Sequence, residues 1–418
     1  MRNHASEPFD TMNTAEPGLE RSLSLSLLTL YGLGNILGAG IYVLIGKVVA
    51  SAGVFTPWSF LLASLVAGMT AFSYAELSAR YPLSAGEAVY LQSGFGLRLL
   101  SSGAGVLIVF AGIVSAAAIA RGFVGYFLQF WIVPPALLIT LLVAALGALA
   151  IWGIAESALL AALFTLIEVS GLLLVAWVAF PDSASLGSSF AAMMSPAEFV
   201  HWDGILLGGI LAFYAYIGFE DMVNVAEEVR EPERNLPIAI LAALAISTLL
   251  YMVIALVAVS GPSLEALSSA EAPLALIYEH ATGSAPVAIS LIALAAVING
   301  ALIQIIMASR VCYGMARQGW IPAVLGKVNS RTRTPVTATL VISATVLLMA
   351  LLLPVESLAR VTSLLLLVVF ALVNLALLKI QRKPAQSYTG FSVPGWIPLG
   401  GFLSSSALLA YQTLAFLR

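Results

Sequence analysis

The chain has 418 residues, 61% hydrophobic and only 9% charged, and its mean hydropathy of +1.02 is that of a polytopic helical membrane protein rather than a water-soluble domain. Its 18 basic and 21 acidic residues leave a net charge of −3 and fall mostly in short connecting segments, which excludes a nucleic-acid-binding surface. The histidines His4, His201 and His280 stand apart from one another, no HExxH spacing occurs, and the single Cys312 has no partner for an internal disulfide; an enzyme, a metal site, a cofactor and a disulfide-linked partner subunit are therefore not expected.

Eleven apolar stretches of about 20 residues or more are each long enough to cross a hydrocarbon core of roughly 30 Å. They run over 22–50, 55–80, 97–131, 133–153, 157–180, 202–229, 236–260, 284–313, 336–354, 357–379 and 395–417. The expected fold is an all-α membrane protein of about 11 transmembrane helices. Residues 1–20 form a cytoplasmic tail without the features of a removable signal, so the first spanning helix serves as its own insertion signal. Two groups of five helices, 21–180 and 202–380, are separated by an extracytoplasmic loop at 181–201; a cytoplasmic loop at 381–394 leads to an additional helix at 395–418. With the N-terminus inside, 14 of the 18 basic residues face the cytoplasm, whereas the outward loops carry Asp182, Glu265, Glu271, Glu279 and Glu356. That asymmetry places the N-terminus inside and the C-terminus outside, in the cell inner or plasma membrane.

The first stretch contains Gly34-Asn35-Ile36-Leu37-Gly38-Ala39-Gly40-Ile41-Tyr42. A helix broken there leaves backbone groups unpaired at a depth that bulk water does not reach, which is tolerated only against protein or a solute cavity. The third stretch is over-long and is expected to include a flanking helix, and Val133-Pro134-Pro135 marks the turn into the fourth. Lys47 and Arg121 lie toward the outer side, where they snorkel to the interface. Mid-way along the fifth stretch stands Glu168, a carboxyl that is costly to ionise there; it either binds and releases a proton or hydrogen-bonds its neighbours in a fixed state. The sixth runs Ala212-Phe213-Tyr214-Ala215-Tyr216-Ile217-Gly218-Phe219-Glu220-Asp221, a second interruption. Since spans one and six open groups of five, and five is odd, the second group enters from the opposite side, and broken helices at matching places of inverted halves point to a transporter's midplane site. Glu220 and Asp221 lie just past this second break, where they either contact a cationic side chain or face water in the inner half-channel; solvation or helix-start stabilisation is slightly favoured. Glu227, Glu228 and Arg230 form a charged helix end or a latch of the inner gate. Asn299 and Gln304 read as packing polar groups, and the basic segment from Arg310 to Pro335 as a topology determinant with Cys312 facing the cytoplasm.

Three motifs carry a resemblance: Gly34 to Tyr42; Phe213 to Pro237 with Ala226-Glu227-Glu228-Val229-Arg230-Glu231-Pro232-Glu233-Arg234-Asn235-Leu236-Pro237; and Ser309-Arg310 through Met315-Ala316-Arg317-Gln318-Gly319 with Arg333-Thr334-Pro335. In them the chain resembles the amino acid/polyamine/organocation transporter superfamily, most of all its bacterial branch related to the cationic amino acid transporters. The resemblance covers spans one to ten. It implies a secondary amino acid transporter whose ten core helices form two inverted five-helix repeats with discontinuous helices one and six. Many relatives have twelve spans, and this chain has eleven. In some proton-coupled relatives a lysine occupies the position of Glu168 and answers to a sodium site in sodium-coupled ones, so the resemblance implies a coupling role for Glu168, with the proton as the coupling ion.

An amino acid zwitterion needs donors for its carboxylate and acceptors for its ammonium. The outer half-helix beginning near Gly40 aims N–H groups and its positive dipole end at the break, which suits a carboxylate. Carbonyls freed near Ile36 and Leu37, and around Tyr214, Ala215, Tyr216 and Ile217, suit the ammonium, and Gly38 and Gly40 permit the unusual backbone and the close approach. The expected substrate site is thus Ile36, Leu37, Gly38, Ala39, Gly40 and Ile41 with Phe213, Tyr214, Ala215, Tyr216, Ile217 and Gly218. Tyr214 and Phe219 are gate candidates beside Glu227, Glu228 and Arg230. With no acid on the breaks obliged to meet a cationic side chain, and with space at Ala212, Ala215 and Gly218, neutral amino acids are slightly favoured over cationic ones. An exchanger, a uniporter and a membrane amino acid sensor that does not transport are the alternatives.

Overall fold

The computed structural model describes residues 19–128, 130–194, 202–270, 272–353, 355–382 and 388–417. The first group of helices comprises α1 (Leu25–Ala52), α2 (Thr56–Arg80), the short α3 (Gly86–Phe95), α4 (Arg98–Phe127), α5 (Pro135–Trp152) and α6 (Ile154–Val178). After α7 (Ser183–Met193), the second group follows: α8 (Trp202–Tyr214), which continues as a 3-10 segment (Glu220–Glu228), then α9 (Pro232–Ser260), the short α10 (Leu264–Ser269) and α11 (Pro273–Thr282), α12 (Val287–Arg317), α13 (Val336–Leu352) and α14 (Val355–Gln381). The last helix is α15 (Trp396–Leu417).

Local chemistry explains the boundaries. Ser24 caps α1 by accepting from the Leu27 N–H at 3.3 Å. Proline sits in the first turn of α2, α5, α9 and α11, where its missing N–H costs nothing. Gly96 and Gly283 end α3 and α11 with φ of 68° and 64°, a left-handed turn that favours glycine.

Among the described residues, eight helical stretches are long and apolar enough to cross a membrane, and Trp202–Tyr214 and Val336–Leu352 are shorter apolar helices. The sixth span falls short because its helix stops at Tyr214. The helices form an all-α membrane fold in which α1 lies at the centre against α6, α8, α9 and α12, while α4 packs between α12 and α14, and α15 closes on α14 and α2. The distribution of side chains is that of a lipid-solvated bundle: Leu65, Leu99, Trp152, Leu159 and Trp177 are exposed, whereas Glu76, Glu87, Glu168, Glu220, Asp221, Glu228 and Arg310 are buried.

Four expectations change. The stretch 97–131 is chiefly one thirty-residue helix, α4, and the flanking helix lies before it as α3. The loop expected at 181–201 begins with a helix, α7, capped by Asp182; residues 195–201 are outside the described residues, as are 1–18 with His4. Cys312 is buried in α12 rather than facing the cytoplasm, because α12 runs on to Arg317. Arg121 donates to the carbonyls of Ala350 (3.0 Å) and Leu353 (2.9 Å), so it caps α13 where interfacial snorkelling was expected.

Candidate functional site

The break in α1 is at Gly38, whose φ of −5° and ψ of −135° are not helical. A Cβ on Gly38 would meet nothing within 4 Å, so this position borders open space, whereas one on Gly40 would come within 2.9 Å of the Ala215 Cα. The second interruption follows α8, where Gly218 holds a φ of +130° that an L side chain rarely adopts, and a Cβ there would lie 2.9 Å from the Asn35 backbone. The two breaks therefore touch through glycines.

They are also hydrogen-bonded to each other. Asn35 Nδ2 donates to the Gly218 carbonyl (2.8 Å) and to Asp221 Oδ2 (2.6 Å). The Tyr251 hydroxyl on α9 lies 2.7 Å from the Ile36 carbonyl and 2.9 Å from the Ala215 carbonyl, one from each break. A hydroxyl carries one proton, so the two carbonyls share a single donor, and each keeps accepting capacity for a solute.

Beside the breaks is a cavity of about 100 Å³. Its polar lining comes from Asn35, Ser115, Glu220, Asp221, Gln304 and Thr362; Ala111, Gly112, Ala118, Ile119, Met307 and Leu366 supply apolar walls from α4, α12 and α14. Of the residues expected from sequence, Ile36, Gly38, Gly40, Tyr214 and Ile217 line it. Leu37, Ile41, Phe213, Ala215, Tyr216 and Gly218 are buried around it instead: Tyr216 stacks edge-on against Tyr251 at 5.0 Å and donates to the Phe60 carbonyl. Phe219 packs against Tyr74 and Phe370, each at 5.6 Å, and does not line the cavity. Ala39 belongs to α1, and its side chain is outside the described residues.

Glu220 and Asp221 depart from the expectation of solvated acids. Both are buried and border the cavity, Glu220 accepting from the Gly218 N–H (2.7 Å) and Asp221 accepting from Asn35 and from Gln304, each at 2.6 Å. Asn35 sits inside the glycine motif, where more conspicuous neighbours mask its amide. Gln304 depends on the helical phase of α12, and the small residues of α4 look like those of any spanning helix.

Glu168 stands behind α1, not in the cavity lining. Its Oε1 accepts from Asn299 Nδ2 at 2.9 Å and its Oε2 has no hydrogen-bond partner, while Asn299 also reaches Thr165 Oγ1 at 3.2 Å. Thr165 in turn donates to the Leu30 carbonyl of α1, and a Cβ on Gly34 would lie 2.0 Å from Thr165 Oγ1. The Glu168 cluster thus leans on the N-terminal half of α1 through a glycine.

The face that carries Arg310 to Pro335 is closed by several contacts. Leu23 and Val229 form a parallel bridge, with Leu23 N–H donating to the Glu228 carbonyl and Arg230 N–H to the Leu23 carbonyl, both at 2.9 Å. The Glu228 carboxylate pairs with Arg310 at 3.2 Å; both side chains are 0% exposed, so Arg310 belongs to the interior and not to the loop assigned to it from sequence. Glu227 accepts from the Ser84 N–H and from the Tyr313 hydroxyl, each at 3.0 Å. The Arg230 side chain is exposed and touches the Arg21 carbonyl. Asn224 bridges to α3, accepting from the Gly86 N–H (3.1 Å) and donating to Glu87 (3.4 Å). Burial pushes the Glu87 carboxyl, on this short helix between spans, up to about 8.

The family model for amino acid permeases matches residues 23–416. Among curated proteins, the vacuolar cationic amino acid transporter 2 of Arabidopsis thaliana is 29% identical over 88% of the chain, which spans 60% of that protein's length. The branched-chain amino acid permease BcaP of Bacillus subtilis (strain 168) is 26% identical over 91% of the chain and 85% of its own length, and the methylthioribose transporter of the same organism 26% over 97% and 91%. Among solved structures, the substrate-bound outward-open state of a Na+-coupled sialic acid symporter superposes with a TM-score of 0.61, at 15% identity, over 94% of this chain and 90% of that one.

Proposed function

Because the chain belongs to the amino acid permease family, we propose that it is a secondary active transporter that takes up L-amino acids by alternating access, coupled to protons through Glu168, with its N-terminus in the cytoplasm. The observation that carries the reading is a cavity bounded by two broken helices whose freed carbonyls share the Tyr251 hydroxyl. The N–H groups beyond Gly38 supply donors for a carboxylate, while the carbonyls of Ile36 and Ala215 with Asp221 supply acceptors for an ammonium.

A neutral side chain is slightly favoured over a cationic one. With Asp221 given to the ammonium and Glu220 accepting from a backbone N–H, no further acid at the cavity is left for a cationic side chain, and the walls from α4 and α14 are chiefly apolar. At about 100 Å³ the cavity is below the roughly 300–1,000 Å³ of drug-sized sites, which favours small cargo. The methylthioribose relative has a cargo of a different class, and the carboxylate donors at the α1 break favour an amino acid here.

Purified protein screened by thermal shift against the twenty amino acids should be stabilised by its cargo; at 100 times Kd the gain is about 2.7 kcal/mol. Counterflow of that amino acid in proteoliposomes should follow, and accumulation should require an inward proton gradient. Stabilisation without counterflow would leave a sensor in place of a transporter, and counterflow without proton-driven accumulation would leave an exchanger or uniporter.

A further inference from the structure

About one turn along the 3-10 segment from the two cavity acids lies a second polar cluster. It consists of Glu87 and Tyr90 on α3, Tyr74 on α2 and Asn224, all buried. Glu87 Oε1 accepts from Asn224, and the Tyr74 hydroxyl lies close enough to interact with the Glu87 carboxyl, yet neither Glu87 Oε2 nor the hydroxyls of Tyr74 and Tyr90 makes a well-formed hydrogen bond. The Tyr90 hydroxyl stands 2.9 Å from where a Cβ of Gly86 would lie, and the two tyrosine rings meet edge to face at 6.2 Å. Tyr74 also lies against Phe219 and within electrostatic reach of Glu87, Glu220 and Asp221. Buried polar atoms without partners are rare. Here three occur together, next to carboxyls that open onto the cavity.

Resting on the proton-coupled reading above, we propose that Glu87 is a proton-release site: a proton that enters the cavity passes from Glu220 or Asp221 by way of the Tyr74 hydroxyl to Glu87, and leaves to the cytoplasm when the 3-10 segment parts from α3. In that step a carboxyl O–H bond breaks at the cavity acid, the Tyr74 oxygen takes that proton and gives its own to the Glu87 carboxylate, and Tyr74 ends neutral. No electrons change hands.

The contacts that close the inner face also cover Glu87. Asn224 is held to Gly86 and Glu87, and Glu227 to Ser84, so separating the 3-10 segment from α3 breaks these bonds and admits water. The titratable groups around Glu87 are Tyr74 and Tyr81 from α2, Tyr90 from α3, and Glu220, Asp221 and Glu227 from the 3-10 segment, with Tyr313 of α12 behind Glu227. Asp221 is the charged one that acts on it. The cations of neighbouring elements are engaged elsewhere: Arg80 of α2 with Glu76, Arg98 of α4 with the Gly319 carbonyl, Lys379 of α14 over the Phe95 ring, and Arg310 with Glu228. Buried, Glu87 holds its proton up to about 8; exposed, it returns toward the ordinary value of 4.5 and releases it. The closed face therefore binds the proton more tightly, and a rise in cytoplasmic pH through that window favours opening.

The test is cargo-driven proton entry into proteoliposomes holding a trapped pH dye, with the amino acid selected by thermal shift as the probe and counterflow as the control for folding and binding. Glu87→Gln should keep counterflow but lose the roughly tenfold accumulation that a gradient of one pH unit drives in one-to-one symport, and Glu87→Asp should restore it. Undiminished proton entry in Glu87→Gln overturns the proposal; if Glu168→Gln abolishes proton entry in the same assay, the coupling reading stands without it. If wild-type protein carries no proton with its cargo, both fall. Should Glu87→Gln lack counterflow, Tyr74→Phe, which removes one hydroxyl, decides: slowed proton entry supports the pathway and unchanged entry overturns it.

Discussion

Two polar clusters flank the N-terminal half of α1, and they are built on opposite plans. Toward the cavity and the basic face, Asp221 accepts from Asn35 and Gln304, and Glu228 pairs with Arg310, so buried charge meets matched donors. On the α6 side, Glu168 meets one amide and keeps an unpartnered oxygen, and the Asn299 carbonyl oxygen is likewise unpartnered. Inside a low-dielectric bundle a fully satisfied network fixes geometry, whereas an incompletely satisfied carboxyl is ready to change its partner or its proton. Under the function proposed above, the first cluster holds the broken helices together and hands the proton on toward Glu87, and the second couples cargo to it.

Removing one partner from the satisfied side should cost most. Arg310→Ala leaves Glu228 buried without its cation, and an expected loss of about 3–5 kcal/mol should appear in the unfolding of purified protein; a loss below about 1 kcal/mol would show that the pair does not anchor the gate. Asp221→Asn keeps the shape but turns two charge-assisted hydrogen bonds into neutral ones, worth about 1–2 kcal/mol, and cargo affinity should fall with stability. Tyr251→Phe withdraws the donor shared by the breaks; about 1 kcal/mol of stability should go, and thermal shift by cargo should shrink more than the unliganded melting temperature. Glu168→Gln sharpens the comparison from the other side: because Gln keeps the oxygen that accepts from Asn299, its effect on stability should be the smallest of the four, with cargo binding kept, while the pH dependence of uptake flattens. Unchanged pH dependence would place coupling elsewhere.

A bulky substitution at the α1 break discriminates the two glycines further. At Gly38 it would enter the cavity and block cargo in a folded protein, whereas at Gly40 it would push α1 off Ala215 and disturb the helices themselves. Gly38→Trp should therefore abolish thermal shift by amino acids at nearly normal stability, and Gly40→Trp should lower both.

The membrane class, the spans and the two breaks were legible because hydropathy, glycine and aromatic patterning act along the chain. Glu168 could be singled out because an acid amid twenty apolar residues is conspicuous wherever it points. Which groups meet was not legible. Asn35 joins Gly218 across 183 positions, Tyr251 joins both breaks, and Glu228 finds Arg310 across 82. Those meetings depend on helix phase and on how helices distant in sequence lean together, which local composition does not encode. For the same reason the acids Glu220 and Asp221, which look like a solvated helix start in sequence, are buried at the cavity: the turn at Gly218 directs the chain inward and supplies the N–H that Glu220 accepts, and the amides that meet Asp221 come from α1 and α12.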